Sequence, residues 1–515
     1  MMSFIHSIMK IYVGNSFGLL ATFFLFSGCS EYKKDKGQTA ETEAPAPIEQ
    51  AILTDTSSFY YIDFSRYRAN DAELPIGVFD SGTGGLTVLD ALVRFDDYNN
   101  ESRTAGKDGK PDFSKERFIY LADQANMPYG NYHSEQKSAL LVEHIIKDVH
   151  FLLADRYYPN ASSTHPAGTK QQVKAIVIAC NTATAYGKEN IEAFIRRTGI
   201  GIPVIGVIDA GARGALDAFA PDESGSVGVF ATVGTIASNG YENTLMRIKE
   251  ERGYTGNVQV FNQGGHGVAE AVDEEPDFID HQANAPRDNY RGPALDNPSY
   301  RIVKALMDVY GFDFNDQHML CDGKSAMDCN ILQLNSTENY VRYHLVSLLE
   351  RMRKQKDAQP MKALLLGCTH YPYLTREIRQ VLGELYDFQR DGAHVYRHLL
   401  HKDIHIIDPA ENVAQELHMY LADNAMFNPS GNMADSEFFI SVPNMHNPNV
   451  KTDQQGRFTY EYKYGRTAGE IQEYVKVVPF DEANISGETV ERMQAAIPET
   501  FRLIKALRSE APSGR

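Results

Sequence analysis

The 515-residue chain is short of positive charge: 50 lysines and arginines face 68 aspartates and glutamates, a formal charge of −18. Phosphate binding needs a basic face, so this balance argues against a nucleic-acid partner. Tryptophan is absent and cysteine is scarce. Five cysteines, an odd number, are too few for a disulfide framework on a chain this long, and each has to be read separately. Long apolar runs are missing too. The stretch from Phe17 to Phe26 is too short for a membrane span of ~20 residues. What is present is ordinary for a globular protein: 43% hydrophobic and 23% charged residues exclude wholesale disorder. At ~150 residues per domain the length alone suggests about three domains.

Some motif absences are equally informative. The turn Gly82-Thr83-Gly84-Gly85 lacks the Gly-Lys-Ser/Thr ending of a nucleotide loop, and Thr87 stands where a dinucleotide fingerprint has its third glycine. There is no His-Glu-x-x-His and no clustered His/Cys/acid spacing, so no metal is expected. His398, His401 and His405 read as surface residues. Residues 1–29 carry an apolar stretch closing on Ser27-Gly28-Cys29, which resembles a bacterial lipoprotein signal. That resemblance makes Cys29 the lipidated mature N-terminus and ties the chain to a membrane on the periplasmic or cell-envelope side. Phe26 departs from the commoner Leu. A plain secretory signal or an uncleaved anchor is the alternative, and the location is cytoplasmic if the signal is misread. The segment after Cys29 (KKDKGQTAETEAPAPIEQ) is too poor in apolar residues to order itself, so 30–74 reads as a tether.

From residue 75 the pattern changes. Ile76-Gly77-Val78-Phe79 is a short apolar run ending at Asp80-Ser81 and the Gly-rich turn, followed by a helical face at Leu86, Val88, Leu89, Leu92 and Val93. Val227-Gly228-Val229-Phe230, then Ala231-Thr232-Val233-Gly234-Thr235, repeats this design. A second pair follows the same logic: Ala175–Ala179 runs into Cys180-Asn181-Thr182, and Ala363–Gly367 runs into Cys368-Thr369-His370. Fully apolar short runs mark strands buried on both faces of a parallel sheet, and open α/β sheets bind ligands just past their carboxyl ends. The expected fold is α/β: two pseudo-symmetric lobes, each a mainly parallel sheet flanked by helices, with the active site between them.

A cysteine after an apolar strand is commonly a small core residue. Here Asn181, Thr182, Thr369 and His370 follow, donors and acceptors suited to a small polar ligand. Two thiols at equivalent ends of two similar halves suggest one ligand between them. As thiolate, one takes a proton from a carbon; as thiol, the other returns one on the opposite face. At these residues (IGVFDSGTGGLTVL, LADQANMPYG, ACNTAT, ATVGT and LLGCTHYP) the chain resembles glutamate racemase, of the cofactor-independent aspartate/glutamate racemase superfamily. The resemblance implies racemisation of a free acidic amino acid, most simply L-glutamate to D-glutamate for the cell wall, with no cofactor. Cys180 and Cys368 become the catalytic acid/bases, the first acting on the D-isomer and the second on the L-isomer. Asp80 assists Cys180, and His370 assists Cys368. Asp80 and Ser81, Tyr129 and Gly130, Asn181 and Thr182, and Thr369 and His370 match substrate-binding positions. Asp80 as a turn-former and Tyr129 as a packing residue are the bland readings. One match is incomplete: the region that should carry a glutamate supporting the histidine reads Gln263–Glu270, where Glu270 or Asp273 is a candidate. Aspartate racemase, a related isomerase, or a non-catalytic amino-acid-binding lipoprotein are the alternatives.

The racemase-like motifs leave extra segments at 97–115, 158–171, 271–345 and 425–480. The third contains an expected helix near 299–310, and Cys321 and Cys329, whose spacing permits a local disulfide. The fourth contains FTYEYKYGR, which alternates like a hairpin or lid. The first lobe is expected over 75–205 plus 406–511 and the second over 206–405. The resemblance also suggests a homodimer.

Overall fold

Ten strands build the two principal sheets of the computed structural model, which describes residues 44–507 apart from 273, 275, 276, 324–327, 455 and 486. The signal, Cys29 and residues 30–43 lie outside the described residues. In chain order the strands are β1 (Ile76–Asp80), β2 (Phe118–Ala122), β3 (Ala175–Ile178), β4 (Val204–Gly206), β5 (Gly225–Ala231), β6 (Val258–Gly264), β7 (Met361–Gly367), β8 (Leu400–Ile407), β9 (Glu437–Pro443) and β10 (Val475–Pro479). One sheet runs β10-β9-β2-β1-β3-β4 and the other β8-β7-β5-β6. Every pairing is parallel except β9 with β10. The two lobes therefore share one order, β2-β1-β3-β4 and β6-β5-β7-β8, and the α/β class with two mainly parallel sheets is the fold observed.

The central strands of both sheets are buried on both faces, which is why β1, β2, β3, β5 and β7 are largely apolar, whereas the edge strand β8 is mostly exposed. Along β1, Ile76 and Val78 enter a core shared by the two lobes, while Phe79 enters a second core beneath the helix Ser138–Leu153. Along β7, Ala363 and Leu365 join the shared core, while Leu364 and Leu366 enter a third. The lobes meet through two equivalent helices, Val207–Asp217 after β4 and Pro409–Asp423 after β8. Close approach here requires glycine. A Cβ on Gly214 would lie 2.3 Å from the Asn412 amide, and one on Gly211 would lie 3.0 Å from Pro409.

Several expected boundaries move. Leu400–Ile407 is the fourth strand of the second lobe, so that lobe closes after 407, not at 405. The FTYEYKYGR segment is no hairpin: Thr459 caps a short helix, Tyr460–Gly465, accepting the N–H of Tyr462 at 3.3 Å. The antiparallel pair in this region is β9 with β10, which extends the first sheet. The tether does not reach 74. Pro47–Leu53 is a helix whose Ile48 and Ile52 are buried, and its Glu49 pairs with Arg197 at 2.8 Å. The third insertion ends near 336, because Thr337–Lys354 is a lobe helix burying Val341, Leu345 and Leu348. Within that insertion the helix expected near 299–310 is a 3-10 turn, Lys304–Leu306, running into Met307–Tyr310. A small antiparallel pair, Met319–Cys321 with Leu332–Leu334, lies beyond it, and Cys321 and Cys329 form a disulfide. Among the described residues no helix is long and apolar enough to cross a membrane.

The first sheet is pinned at its amino edge by a buried ion pair. Lys174, just before β3, lies 2.7 Å from Glu116 and also donates to the carbonyls of Ala72 and Met426. Removing one partner leaves the other charge buried alone. Lys174→Met should therefore lower the unfolding free energy by about 3–5 kcal/mol, read from urea denaturation. An unchanged midpoint would show that the pair holds nothing.

Candidate active site

Because β1 and β3 are parallel neighbours, their carboxyl ends emerge side by side. Phe79 is in register with Ile178, and the N–H of Ala179 donates to the carbonyl of Phe79 at 2.9 Å. Asp80 and Cys180 thus leave adjacent strands at the same edge. Asp80 is buried, and one of its oxygens accepts the N–H of Gly85 at 2.8 Å and of Gly82 at 3.2 Å. A Cβ on Gly85 would sit 2.5 Å from the Asp80 Cβ, so the turn closes this tightly only with glycine there. The Tyr120 hydroxyl donates to the carbonyl of Gly82 at 2.7 Å and fixes the turn from the next strand. Asp80 therefore does hold the turn, and it also stands beside the thiol.

Cys180 caps the helix Asn181–Thr198. Its Sγ accepts the N–H of Ala183 at 3.4 Å and lies 3.6 Å from Ser81 Oγ. The positive end of a helix favours a thiolate. Burial and then the Asp80 charge oppose it more strongly and push the Cys180 thiol up to about 12. Burial likewise raises the Asp80 carboxyl, against the lowering effect of the Gly85 N–H and the Cys180 thiol. With its thiol held up at about 12, Cys180 keeps its proton at neutral pH.

The second lobe repeats the topology with different chemistry. The strand equivalent to β1 ends at Ala231, where Thr232 caps a short turn of helix through Thr235 N–H at 3.2 Å. No carboxylate stands at the position equivalent to Asp80. Cys368, just past β7, instead has His370 Nδ1 at 3.7 Å, and that nitrogen is 3.5 Å from Thr369 Oγ1. Cys368 is as buried as Cys180. The lobes meet over the site. A Cβ on Gly84 would lie 3.7 Å from both Asp80 Oδ2 and Thr369 Oγ1, and Tyr241 of the second lobe donates to Asn181 Oδ1 at 2.9 Å. Between them is a cleft of about 60 Å³ lined by Asn181, Cys368, Thr369, Thr87, Asp90 and Asp408. It has room for a few water molecules.

The structure gathers Asp80, Ser81, Cys180, Asn181 and Thr182 at one lobe's edge and Cys368, Thr369 and His370 at the other's. It does not bring the Tyr129 side chain there. That ring is buried, and its hydroxyl is 2.6 Å from both Asp123 and Asp148. Gly130 is exposed at the start of a five-residue helix; the part of this loop that packs on the Gly-rich turn is Gln124 and Met127, against Gly82. Glu270 sits by Tyr371, whose phenol is held un-ionised chiefly by burial, with the Glu270 charge adding to it. Asp273 is outside the described residues. His398, His401 and His405 are exposed. Three residues at this boundary were not singled out from sequence. Asp90, in the cleft, and Tyr241, beside it, carried no signal. Asp408 did: Asp before Pro409, directly after a strand, is a helix-cap pattern.

Asp408 Oδ1 caps its helix through Ala410 N–H at 2.9 Å. Burial, with Glu411 nearby, raises its carboxyl to about 6 from 3.8. The folded state then binds the proton more tightly than the unfolded chain, so stability falls as pH rises between these values, by about 3 kcal/mol. Asp408→Asn keeps the cap without the charge. It should raise the unfolding free energy by about 2–3 kcal/mol near pH 8 and by almost nothing near pH 3.5. Equal effects at both pH values would refute the buried-acid account.

No family model matches the chain. It is 26% identical over 374 residues to the glutamate racemase of Syntrophus aciditrophicus, an alignment covering 72% of this chain and 89% of that one. A glutamate racemase of Enterococcus faecalis is 36% identical over 167 residues, 32% of this chain and 45% of its own. Among solved structures, a glutamate racemase isoform from Bacillus anthracis has 23% sequence identity and a TM-score of 0.40, covering 72% of this chain and 89% of that one. At that score the likeness adds nothing to the sequence matches. Over 72% of its length the chain is a distant homologue of glutamate racemases.

Proposed function

We propose that the protein racemises a free acidic amino acid, L-glutamate to D-glutamate, with two cysteines and no cofactor. The observation that supports this reading is the placement of Cys180 and Cys368. These are the two free cysteines among the described residues, and each follows the third strand of its lobe's repeated sheet order. One sulfur, as thiolate, takes the Cα proton and becomes a thiol. The other, as thiol, gives a proton to the opposite face and becomes a thiolate. The carbon inverts with no net gain or loss of protons, and Asp80, His370 and solvent reset the pair. In the first lobe, proton transfer from Cys180 to Asp80 moves the single buried negative charge onto sulfur without adding a second one. An incoming ammonium group favours the charged pair.

The substrate's carboxylate needs donors, since the chain as a whole repels it. The amides of Gly82 and Gly85 are already spent on Asp80. The Asn181 amide and the Thr182 and Thr369 hydroxyls are the side-chain donors at hand. A cleft of about 60 Å³ is too small for an amino acid, so the lobes must part to admit one. Placement on the envelope side through a lipid on Cys29 is part of the same proposal and rests on residues 17–29. A Cys29→Ala variant that still incorporated labelled fatty acid and still partitioned to membranes would overturn it.

The direct test is incubation of the purified chain with L- and D-glutamate and with aspartate in D₂O. Deuterium should enter Cα of glutamate, and Cys180→Ala and Cys368→Ala should each cut net racemisation by at least about 10³-fold. Full activity in either variant would refute the two-thiol assignment. Exchange on aspartate alone would assign that substrate instead, and no exchange on any acidic amino acid would leave a binding protein. Asp80 has its own test. At about pH 8 iodoacetamide should label Cys180 hardly at all, and Asp80→Asn, by removing the adjacent charge, should speed labelling by about tenfold. Unchanged labelling would remove Asp80 from the proton path.

A further inference from the structure

On the face of the first sheet covered by Ser138–Leu153 lies a cavity of about 550 Å³, within the size range of small-molecule sites. Asp123, Asn126 and that helix form one side of it. The remaining walls come from 59–68, 154–172 and 441–477, segments outside the racemase-like motifs. In a chain of net charge −18 its lining reverses sign, with six lysines and arginines against four aspartates. One of those four, Asp148, has its carboxyl raised well above the usual range by burial and by the Asp123 charge beside it.

Arg466 is the centre of this excess. It is buried, and a guanidinium cannot shed its proton. Its Nη2 donates to Asn126 Oδ1 at 2.8 Å and its Nε to the Lys463 carbonyl at 3.3 Å. Its Nη1 makes no close hydrogen bond; the guanidinium lies beside the Tyr132 hydroxyl and 4.9–5.2 Å from the rings of Phe458, Tyr462 and Tyr474, so rings and neutral groups surround its charge. His144 beside it is equally buried, with Nε2 unpartnered. The charges of Arg466 and Lys147 both bear on this imidazole, behind burial as the main cause that holds it neutral. Lys147 pairs with Glu143 at 2.7 Å and donates to the Gln472 carbonyl at 3.4 Å. Lys170, at the other end of the helix, is spent on the carbonyls of Leu152 and Gln171 at 3.1 and 3.2 Å and on that of Ala154. The rest of the lining is ring-rich, with Phe59, Tyr60, Phe151, Tyr158 and Tyr474. A buried cation without an acid costs several kcal/mol unless something meets it.

We propose that this cavity is a second binding site, separate from the two-cysteine cleft, for a small organic anion. The ligand carries one carboxylate or phosphate on an apolar or aromatic body. The acidic group lies at Arg466, Lys147 and His144, and the body lies along the rings. Arg466 is already held by Asn126 and by the Lys463 carbonyl, so little ordering is needed when the anion arrives.

The test is calorimetric titration of the full chain with phenyl phosphate and with hexanoate, using phenol and hexanol as uncharged counterparts. At least one anion should bind at one site per chain, at least about tenfold tighter than its counterpart. Arg466→Met should weaken binding at least about tenfold. Gln172→Trp, which fills the cavity from a partly exposed wall position, should do the same and decides the matter alone if Arg466→Met does not fold. Binding should survive Cys180→Ser and saturating glutamate, so the result stands apart from the racemase reading. Absence of binding by both anions to about 10 mM, equal binding of the uncharged counterparts, unchanged affinity in Gln172→Trp, or displacement by glutamate would each overturn the proposal.

Discussion

The burial of Asp80 against Cys180 constrains the first half of the site. Two ionised groups there would be prohibitive in so dry a place, and none would leave nothing to accept a proton. The fold sets up this condition through strand adjacency. Parallel neighbours present their carboxyl ends together, so an acid ending β1 and a thiol just past β3 must meet. The Gly-rich turn then folds back on Asp80, and its amides donate to the carboxylate. Helix Asn181–Thr198 supplies the opposing pull, with its first turn aimed at sulfur. Burial and the Asp80 charge outweigh this pull, and the thiol keeps its proton.

The second constraint is the contact between lobes. Helices Val207–Asp217 and Pro409–Asp423 occupy equivalent places, and glycines at 211 and 214 let Pro409 and Asn412 of one helix lie directly on the backbone of the other. Tyr241 and Asn181 join across the same boundary. A substrate held between two sulfurs needs both lobes at fixed spacing when closed, yet a cleft this small has to open. The helix pair is close and is held by Arg213 on Glu416 at 2.6–3.2 Å, so a movement of the lobes as rigid bodies would turn about this contact.

Much of this was readable in the sequence because it depends on local pattern. Short runs apolar at every position announced buried parallel strands, and the residues just past them announced the site. What was not readable depended on partners distant in the chain. Ile404–Ile407 is a strand on any reading, but only pairing shows that its neighbour is β7. The aromatic alternation of Phe458, Tyr460, Tyr462 and Tyr464 suggests a strand, whereas three of those rings pack on Arg466 or Tyr132 from a turn of helix begun by the Thr459 cap. Pro47 and Glu49 mark a helix start, a signal lost when the window is averaged with its charged surroundings. Tyr129 sits in a motif that promised substrate contact, yet its hydroxyl is committed to two buried acids.

The lobes are alike in strand order and unlike beside their thiols, and the difference follows from what each strand end carries. Where β1 ends in Asp80, β5 ends in Ala231, so Cys368 has no counterpart of Asp80 on that strand; the acid in its cleft is Asp408, just past β8. An imidazole two residues along takes the place of that counterpart. The acid raises the affinity of its sulfur for a proton, while an imidazole, when charged, lowers it. A racemase working on one carbon from two sides meets substrates of opposite hand but otherwise identical acidity, so nothing in the chemistry requires identical bases. It requires that one sulfur be charged while the other is protonated, and that the roles exchange at each turnover. Two differently supported thiols meet that requirement more readily than two identical ones.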